Sequence, residues 1–305
     1  MSNHKYWIAL EQAKGIGPAN LKIIYDKLKS FNLSIIDLFN LTPAEIKSEF
    51  ALHENVINAI GNAKNSIYRI EEDYHSLIDA GVEPLLFFEE AYPVRLHNIL
   101  KTSIPPVLYI YGNRNILKEK GAAILAEKDL SERGENITYL AAKELSMHRI
   151  AVISGMAKGA DIAHRSALLN GGATIAILPH GIFHFKIPDL LKDVYDPEKI
   201  LIISPFYPSA EPNKYNAYIR NRLICALSYA VYITEAAQDG GIFEAAKSAK
   251  KLNVPLFVTE YKDYPKSASA NKSLIDDGAF PVKGRLINNE LTPNLDDLTG
   301  IVKFK

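Results

Sequence analysis

Apolar residues in the first 70 positions fall three and four apart: Leu10, Leu21, Ile23, Ile24, Leu28, Ile35, Ile36, Leu38 and Phe39. That spacing lays one apolar stripe along each of several short helices. Thr42-Pro43 opens a further one, with Pro at the first helical position, where its missing N–H costs nothing. Residues 1–70 therefore read as a small all-α domain. From Tyr68 to about Gly81 a charged helix leads into Val82 to Phe88, an apolar run with strand composition. Tyr92-Pro93, Pro105-Pro106 and the apolar residues between them make 71–115 an ordered connector, expected to pack on the domain that follows.

Beyond residue 116 the period changes. Short apolar runs at 122–126, 151–154, 173–178, 201–204, 230–234 and 254–258 alternate with helical spacing at about 134–148, 160–169, 216–228 and 242–252. Buried strands alternating with helices predict an α/β, doubly wound, mainly parallel sheet. In the first of these helices Ile137, Leu140, Ala141 and Leu145 form the stripe of a helix lying on such a sheet. The segment 116–283 is expected as the main, Rossmann-like domain. Residues 284–305 read as a short, polar, loop-like tail ending in Ile301 to Phe304.

Composition changes this picture in two places. Thirty-five basic and thirty-five acidic residues cancel, so a nucleic-acid partner has to rest on a local patch of cations rather than on net charge. The single cysteine, Cys225, lies in an apolar helical run and reads as a structural thiol of a protein in a reducing cytoplasm. No secretory leader is visible, and no stretch approaches the roughly 18 apolar residues of a membrane span. A soluble, cytoplasmic protein is expected.

The candidate chemistry centres on Ile150 to Gly172, which switches from strand to helix through a tight turn. Ser154 and Gly155 end the strand, and Lys158 and Gly159 lead into the helix. Small residues there let a ligand approach the backbone, and the helix offers N–H groups to an anion. Strand ends of a parallel sheet share one edge, so Lys128 and Ser131, Pro179-His180-Gly181, and Glu235 to Gly241 should gather beside it. Arg133, Arg165, Arg220 and Arg222 add positive charge, while Lys247, Lys250 and Lys251 read as a solvated helix face. In Arg220-Asn221-Arg222 the two arginines point about 200° apart on a regular helix. Either the helix begins within the triplet, or one arginine reaches a phosphate while the other bonds the fold. His164 is expected to be hydrogen-bonded to the fold rather than catalytic. No residues are spaced as a nucleophile triad or a metal site, so no catalytic residue, metal or cofactor is expected. Gly15-Ile16-Gly17 joins two helices and resembles a helix-hairpin-helix motif, a second candidate contact to a DNA phosphate; the same glycines equally suit a plain helix-to-helix turn.

The stretches YPVRLHNILKTSIPPVLYIYGN, SGMAKGADIAHRSALLNGGATIAILPHGI, RNRLICALS, ITEA and NKSLIDDGA occur in an ordered series from Tyr92 to Val282. In that order they resemble the DNA processing protein A (DprA/Smf) family. The resemblance implies an extended Rossmann fold behind a helical, SAM-like module, single-stranded DNA as partner, a homodimer, and contact with the RecA recombinase in natural transformation or DNA repair, with no enzymatic turnover. Phosphate contacts are then expected from Lys128, Ser131, Ser154, Gly155, Lys158, Gly159, Arg220, Asn221, Arg222, Gly240 and Gly241, with Gly15 and Gly17 as a secondary contact. The chain departs from the family pattern in its first loop, where Ala126-Glu127-Lys128 stands for Gly-Ser-Arg, and at Gly240-Gly241-Ile242 and Ala245, where hydroxyls are lost. The stretch after Val282 is read as too short for the winged-helix domain of some members. The substituted loops motivate an alternative: a sensor or hydrolase for a nucleotide or nucleotide signal in the same cleft.

Overall fold

A computed structural model describes residues 3–287 and 290–304. The chain divides into two units, Met1–Ile110 and Tyr111–Lys305.

The first unit opens with helices α1 (His4–Gln12), α2 (Pro18–Ser30), α3 (Ile35–Asn40), α4 (Pro43–Phe50) and α5 (Glu54–Asp79). Their starts are written locally. Pro18 and Pro43 stand in the first turns of α2 and α4, and Ser34 with Asp37 and Thr42 with Glu45 form capping boxes that satisfy the first free N–H groups of α3 and α4. Helix α5 buries Val56, Ile57, Ile60, Ile70 and Leu77 along one face. The domain boundary expected near residue 70 is displaced for that reason: no Pro or Gly interrupts the stripe there, and the helix ends only before Gly81, whose φ of +73° favours glycine. The segment read as a connector, 71–115, clusters with the helices as far as Ile110. It holds β1 (Glu83–Leu86), helix α6 (Val94–Leu100) and β2 (Val107–Gly112), with β1 and β2 paired antiparallel from Glu83 opposite Ile110 to Leu86 opposite Val107. Tyr92, buried, ties the segment together by donating its hydroxyl to the carbonyl of Pro105 at 2.7 Å.

The second unit carries β3 (Gly121–Leu125), α7 (Glu132–Met147), β4 (Ala151–Gly155), α8 (Lys158–Leu169), β5 (Thr174–Ile177), β6 (Ile200–Ser204), α9 (Lys214–Leu227), β7 (Val231–Ile233), α10 (Gly241–Lys251), β8 (Leu256–Thr259), α11 (Asn271–Asp276) and β9 (Phe280–Val282). These strands lie in the order β6-β5-β4-β3-β7-β8-β9, and each neighbouring pair is parallel. The doubly wound sheet expected from the alternation is present. Winding runs one way from β3 to β6 and then returns to the other side of β3 with β7. The switch point, where ligands of such sheets bind, therefore lies above β3 and β7.

The tail differs from the expected loop. Residues 284–287 and 290–293 form an antiparallel hairpin, β10 (Gly284–Ile287) with β11 (Glu290–Pro293), followed by α12 (Asp296–Phe304). Leu295, Leu298 and Val302 join the core made by Ala141 and Leu145 of α7, Val152, Tyr232 and Phe257. Arg285 clamps the hairpin down, donating to Glu144 at 2.8 Å and Asp296 at 2.7 Å. Four-residue strands with mixed polarity carry too little periodicity to be read alone; it is the pairing and the core beneath that fix them.

Candidate functional site

All parallel strands of the second unit end at one edge, and the loops leaving β3 and β7 flank the switch point. That crevice is filled by the chain's own carboxylates. Glu235, fully buried, accepts from the Ser131 hydroxyl at 2.5 Å and backbone N–H at 3.0 Å, and from the Tyr261 hydroxyl at 3.0 Å. Ser131 caps α7 through Gly134, so the buried carboxylate sits where the dipole of α7 and its first N–H groups favour an anion. Gly134 is required there: a Cβ at that position would lie 2.5 Å from the Glu235 carboxyl carbon. Glu127 makes a second internal contact, its carboxylate accepting from the N–H of Ala237 at 3.2 Å and lying against Gly240. Burial pushes the Glu127 carboxyl up, and the nearby Asp129 and Glu235 add to the shift. Asn271 ties the same loop from beneath, accepting from Ala236 N–H and donating to the carbonyls of Thr234 and Thr259.

One strand away, at β4 and α8, the balance of charge is reversed. Gly155 ends β4 with no side chain, and the guanidinium of Arg220 lies directly on it: a Cβ added to Gly155 would fall 1.5 Å from Nη1. Nη1 makes one long hydrogen bond, 3.5 Å, to the carbonyl of Ile177, and the buried Nε has no partner. No carboxylate among the described residues pairs with Arg220, and burial alone pushes it down to about 10. Helix α8 begins beside Gly155 without a side-chain cap, and Lys158 stands exposed at its first position. A helix N-terminus with free N–H groups, a glycine that leaves room, and an arginine fork without an anion form a seat for a phosphate.

The structure settles the geometry of the arginine pair. Residues 220–222 lie in the middle of α9, so the helix does not begin within the triplet, and the side chains diverge. Asn221 is buried and donates to the carbonyl of Gly241 at 3.0 Å, holding α9 against the start of α10. Arg222 is half-buried on another face. Ser154 donates its hydroxyl to the carbonyl of Ile124 at 2.6 Å within the sheet, and Gly159 is small because the carbonyl of Glu127 would stand 2.2 Å from a Cβ there. Gly240 lies at the N-cap of α10 and Gly241 is its exposed first residue. Lys128 is exposed, 3.8 Å from Asp129, while Arg165 pairs with Asp193 and Arg133 lies over the ring of Tyr261 at 5.1 Å. Of the expected site residues, Gly155 and Arg220 are in contact, and Lys158 stands exposed at the start of α8, three residues on from Gly155. Ser131, Ser154 and Asn221 spend their polar atoms inside the fold. Gly15, at φ +105°, and Gly17, the N-cap of α2, form the hairpin of the first unit; nothing stands within 4 Å of a Cβ built on Gly17.

Cys225 is buried in α9, its thiol pushed up to about 12 by burial, and is a structural residue as expected. His164 is likewise held by the fold. It is fully buried, with Nε2 2.7 Å from the carbonyl of Gly155 and Nδ1 2.7 Å from the Thr174 hydroxyl. The ring is tied through Nε2 to the Gly155 carbonyl and through Nδ1 to a Thr174 hydroxyl that also lies 2.7 Å from the Val152 carbonyl, which fixes the turn under Arg220. Burial pushes its pKa down to about 4. Between the ordinary imidazole value and that one, the unfolded chain binds a proton that the folded chain refuses, so His164 makes stability fall as pH drops from 6.5 toward 4. The loss is at most about 1.4 kcal/mol for each pH unit. Urea midpoints at pH 7 and pH 5 should therefore diverge more for the parent than for His164→Gln, which has no proton to take up. Asp161, raised to about 6 by burial, acts in the opposite direction in both proteins and cancels in the comparison. Equal pH dependence of the two would show that the imidazole is not the group responsible.

The signals that sequence reading missed are Tyr261 and Asn271, since a single hydroxyl or amide has no spacing. Asn271 does open the NKSLIDDGA stretch, and its three bonds explain why that stretch starts with an amide.

Comparison with known proteins gives a family match. Residues 83–290 match the family described as DNA recombination-mediator protein A. The Smf protein of Synechocystis is 27% identical over 96% of this chain and 73% of its own length. DNA processing protein DprA of Streptococcus pneumoniae is 32% identical over 50% of this chain and 54% of its own. The crystal structure of the pneumococcal protein superposes with a TM-score of 0.72 at 22% identity, covering 92% of this chain and 95% of that one. A structure of DNA processing protein A from Helicobacter pylori, described for its single-stranded DNA binding mode, gives 0.56 at 27% identity over 66% of this chain and 90% of that one.

Proposed function

The chain belongs to the DNA recombination-mediator protein A family, and from that premise we propose that it binds single-stranded DNA through the β4–α8 edge of its sheet and acts as a recombination mediator. The observation that carries the reading is Arg220: a cation with an unpartnered, buried Nε, seated on a glycine beside an uncapped helix N-terminus. A backbone phosphate supplies the missing acceptors. Lys158 adds charge at the mouth, and Lys128, exposed, stands on the neighbouring loop. The strand's bases are not read at this seat, because phosphate contacts carry no sequence information.

The switch point takes no phosphate in this reading, since Glu127 and Glu235 already bring negative charge there. Few phosphates are then neutralised, and the salt dependence should be shallow for a nucleic-acid binder. Fluorescent oligo-dT should bind in preference to duplex, with log K falling against log salt by roughly 0.7 for each phosphate engaged. Absence of binding at low salt would sink the reading.

The nucleotide sensor or hydrolase loses its motivation. Glu244, in the first turn of the helix after the substituted Gly240-Gly241 loop, has a half-exposed side chain paired with Lys247. The cleft acts by holding the strand, without turnover. We further propose that the protein works as a homodimer in the cytoplasm and hands the strand to RecA in transformation or repair. The dimer gains support from Leu286 and Leu291, cross-strand partners on the hairpin and 71% and 49% exposed. No helix among the described residues is long and apolar enough to cross a membrane.

A further inference from the structure

The first unit holds a cavity of about 390 Å³, a size typical of small-ligand sites. Its walls include Trp7 of α1, Tyr25 and Lys29 of α2, and Phe88 and Glu89 after β1. The rings are arranged as a platform. Tyr25 and Phe88 stack at 4.5 Å with planes 10° apart, and Trp7 leans on Phe88 at 4.9 Å. Tyr25 and Phe88 are only half-buried, so these aromatic groups face a space and are not sealed in a core. Lys29 is exposed at the rim and makes no ion pair among the described residues. Glu89 does not oppose it as a free anion: one carboxylate oxygen is 3.0 Å from His4 Nε2, and the other accepts from Leu86 N–H at 2.6 Å.

We propose that this cavity takes a nucleobase of the bound single strand, stacked on the half-buried Tyr25–Phe88 pair behind which Trp7 is buried, with Lys29 on the adjoining phosphate. The proposal rests on the single-stranded DNA reading of the chain. Stacked rings beside a cation suit a planar base on a charged backbone, because every base has a face to stack and the phosphate supplies the counter-charge. Helix α2 adds a second point. It begins at Gly17, in the hairpin whose glycine leaves open space, and the cavity lies about 15 Å further along the helix. A few nucleotides span that distance, so one strand can lay a phosphate on the hairpin and a base in the cavity.

Trp7 is the only tryptophan in the chain, and it lines the cavity, so its emission reports on this site alone. Oligo-dT should quench Trp7 with the same saturation as its binding measured by anisotropy, while an abasic strand of equal length should bind through its phosphates and leave the emission unchanged. Tyr25→Leu, which keeps the apolar volume, should weaken oligo-dT about 5- to 100-fold, the loss of one stacked base, and leave abasic affinity as it was. If both strands bind and neither moves Trp7, or if the abasic strand quenches as oligo-dT does, the nucleobase site is overturned while the β4–α8 reading stands. The cavity would then suit a peptide partner. If neither strand binds, both readings fall. The wild-type measurement decides the matter even where Tyr25→Leu folds poorly.

Discussion

Arg220→Met should lower affinity for oligo-dT by about 10- to 100-fold and at the same time raise the thermal midpoint by a few degrees. The first effect is the loss of charge-assisted hydrogen bonds from a guanidinium to a phosphate, each worth about 1.5–3 kcal/mol. The second follows from the free protein. There the guanidinium is held over Gly155 with one bond of 3.5 Å and a buried Nε that bonds nothing, and burial has already pushed it down to about 10. A half-buried cation with a buried, unpartnered Nε costs stability, and an apolar side chain of similar length removes that cost. Gly155→Ala tests the same point without touching the charge. Its Cβ would meet Nη1 at 1.5 Å, and because that atom ends a flexible side chain, the arginine can swing away at little cost to folding. Binding should fall nearly as far as in Arg220→Met, and the double variant should be no worse than either alone. Unchanged affinity in both single variants, measured by anisotropy at low salt, would place the strand elsewhere.

The outline of this seat was legible in the sequence because its parts are local. Strand, turn and helix at 150–169 show as a change of period, and the 3.6-residue repeat alone says that Arg220 and Arg222 diverge. Which arginine lies on Gly155 was not legible, since it depends on where α9 lies across the sheet. The roles of Ser154, Ser131 and Asn221 were equally hidden. Small polar residues at a strand end look like ligand donors, yet here each bonds a backbone or carboxylate brought in from 20 to 104 residues away. The same holds for the tail, whose hairpin exists only through pairing and the core under α12. Glu127 shows the limit most clearly. As a residue it looks like repulsion beside a phosphate; in the fold its carboxylate serves the N–H of Ala237, and its carbonyl oxygen would stand 2.2 Å from a Cβ on Gly159.

Glu235→Ala should have the converse outcome to Arg220→Met: a fall in stability on the order of 3–5 kcal/mol, with oligo-dT affinity at low temperature equal to or above that of the parent. The cost arises because Ser131 N–H, the Ser131 hydroxyl and the Tyr261 hydroxyl all lose their acceptor, and each orphaned buried donor costs about 1–3 kcal/mol. The affinity does not fall because Glu235 belongs to the switch point, where it supplies negative charge from within and repels any from outside. Gly134→Ala should injure the same contact from the other side, since its Cβ would stand 2.5 Å from the Glu235 carboxyl carbon. The two lesions share a cause, so the double variant should be clearly less destabilised than the sum of the singles in urea titrations. Additive losses would mean that Gly134 and Glu235 act separately. A Glu235→Ala protein that folds normally but no longer binds oligo-dT would mean that the carboxylate positions the strand, and that the switch point, not the β4–α8 edge, is the seat of the ligand.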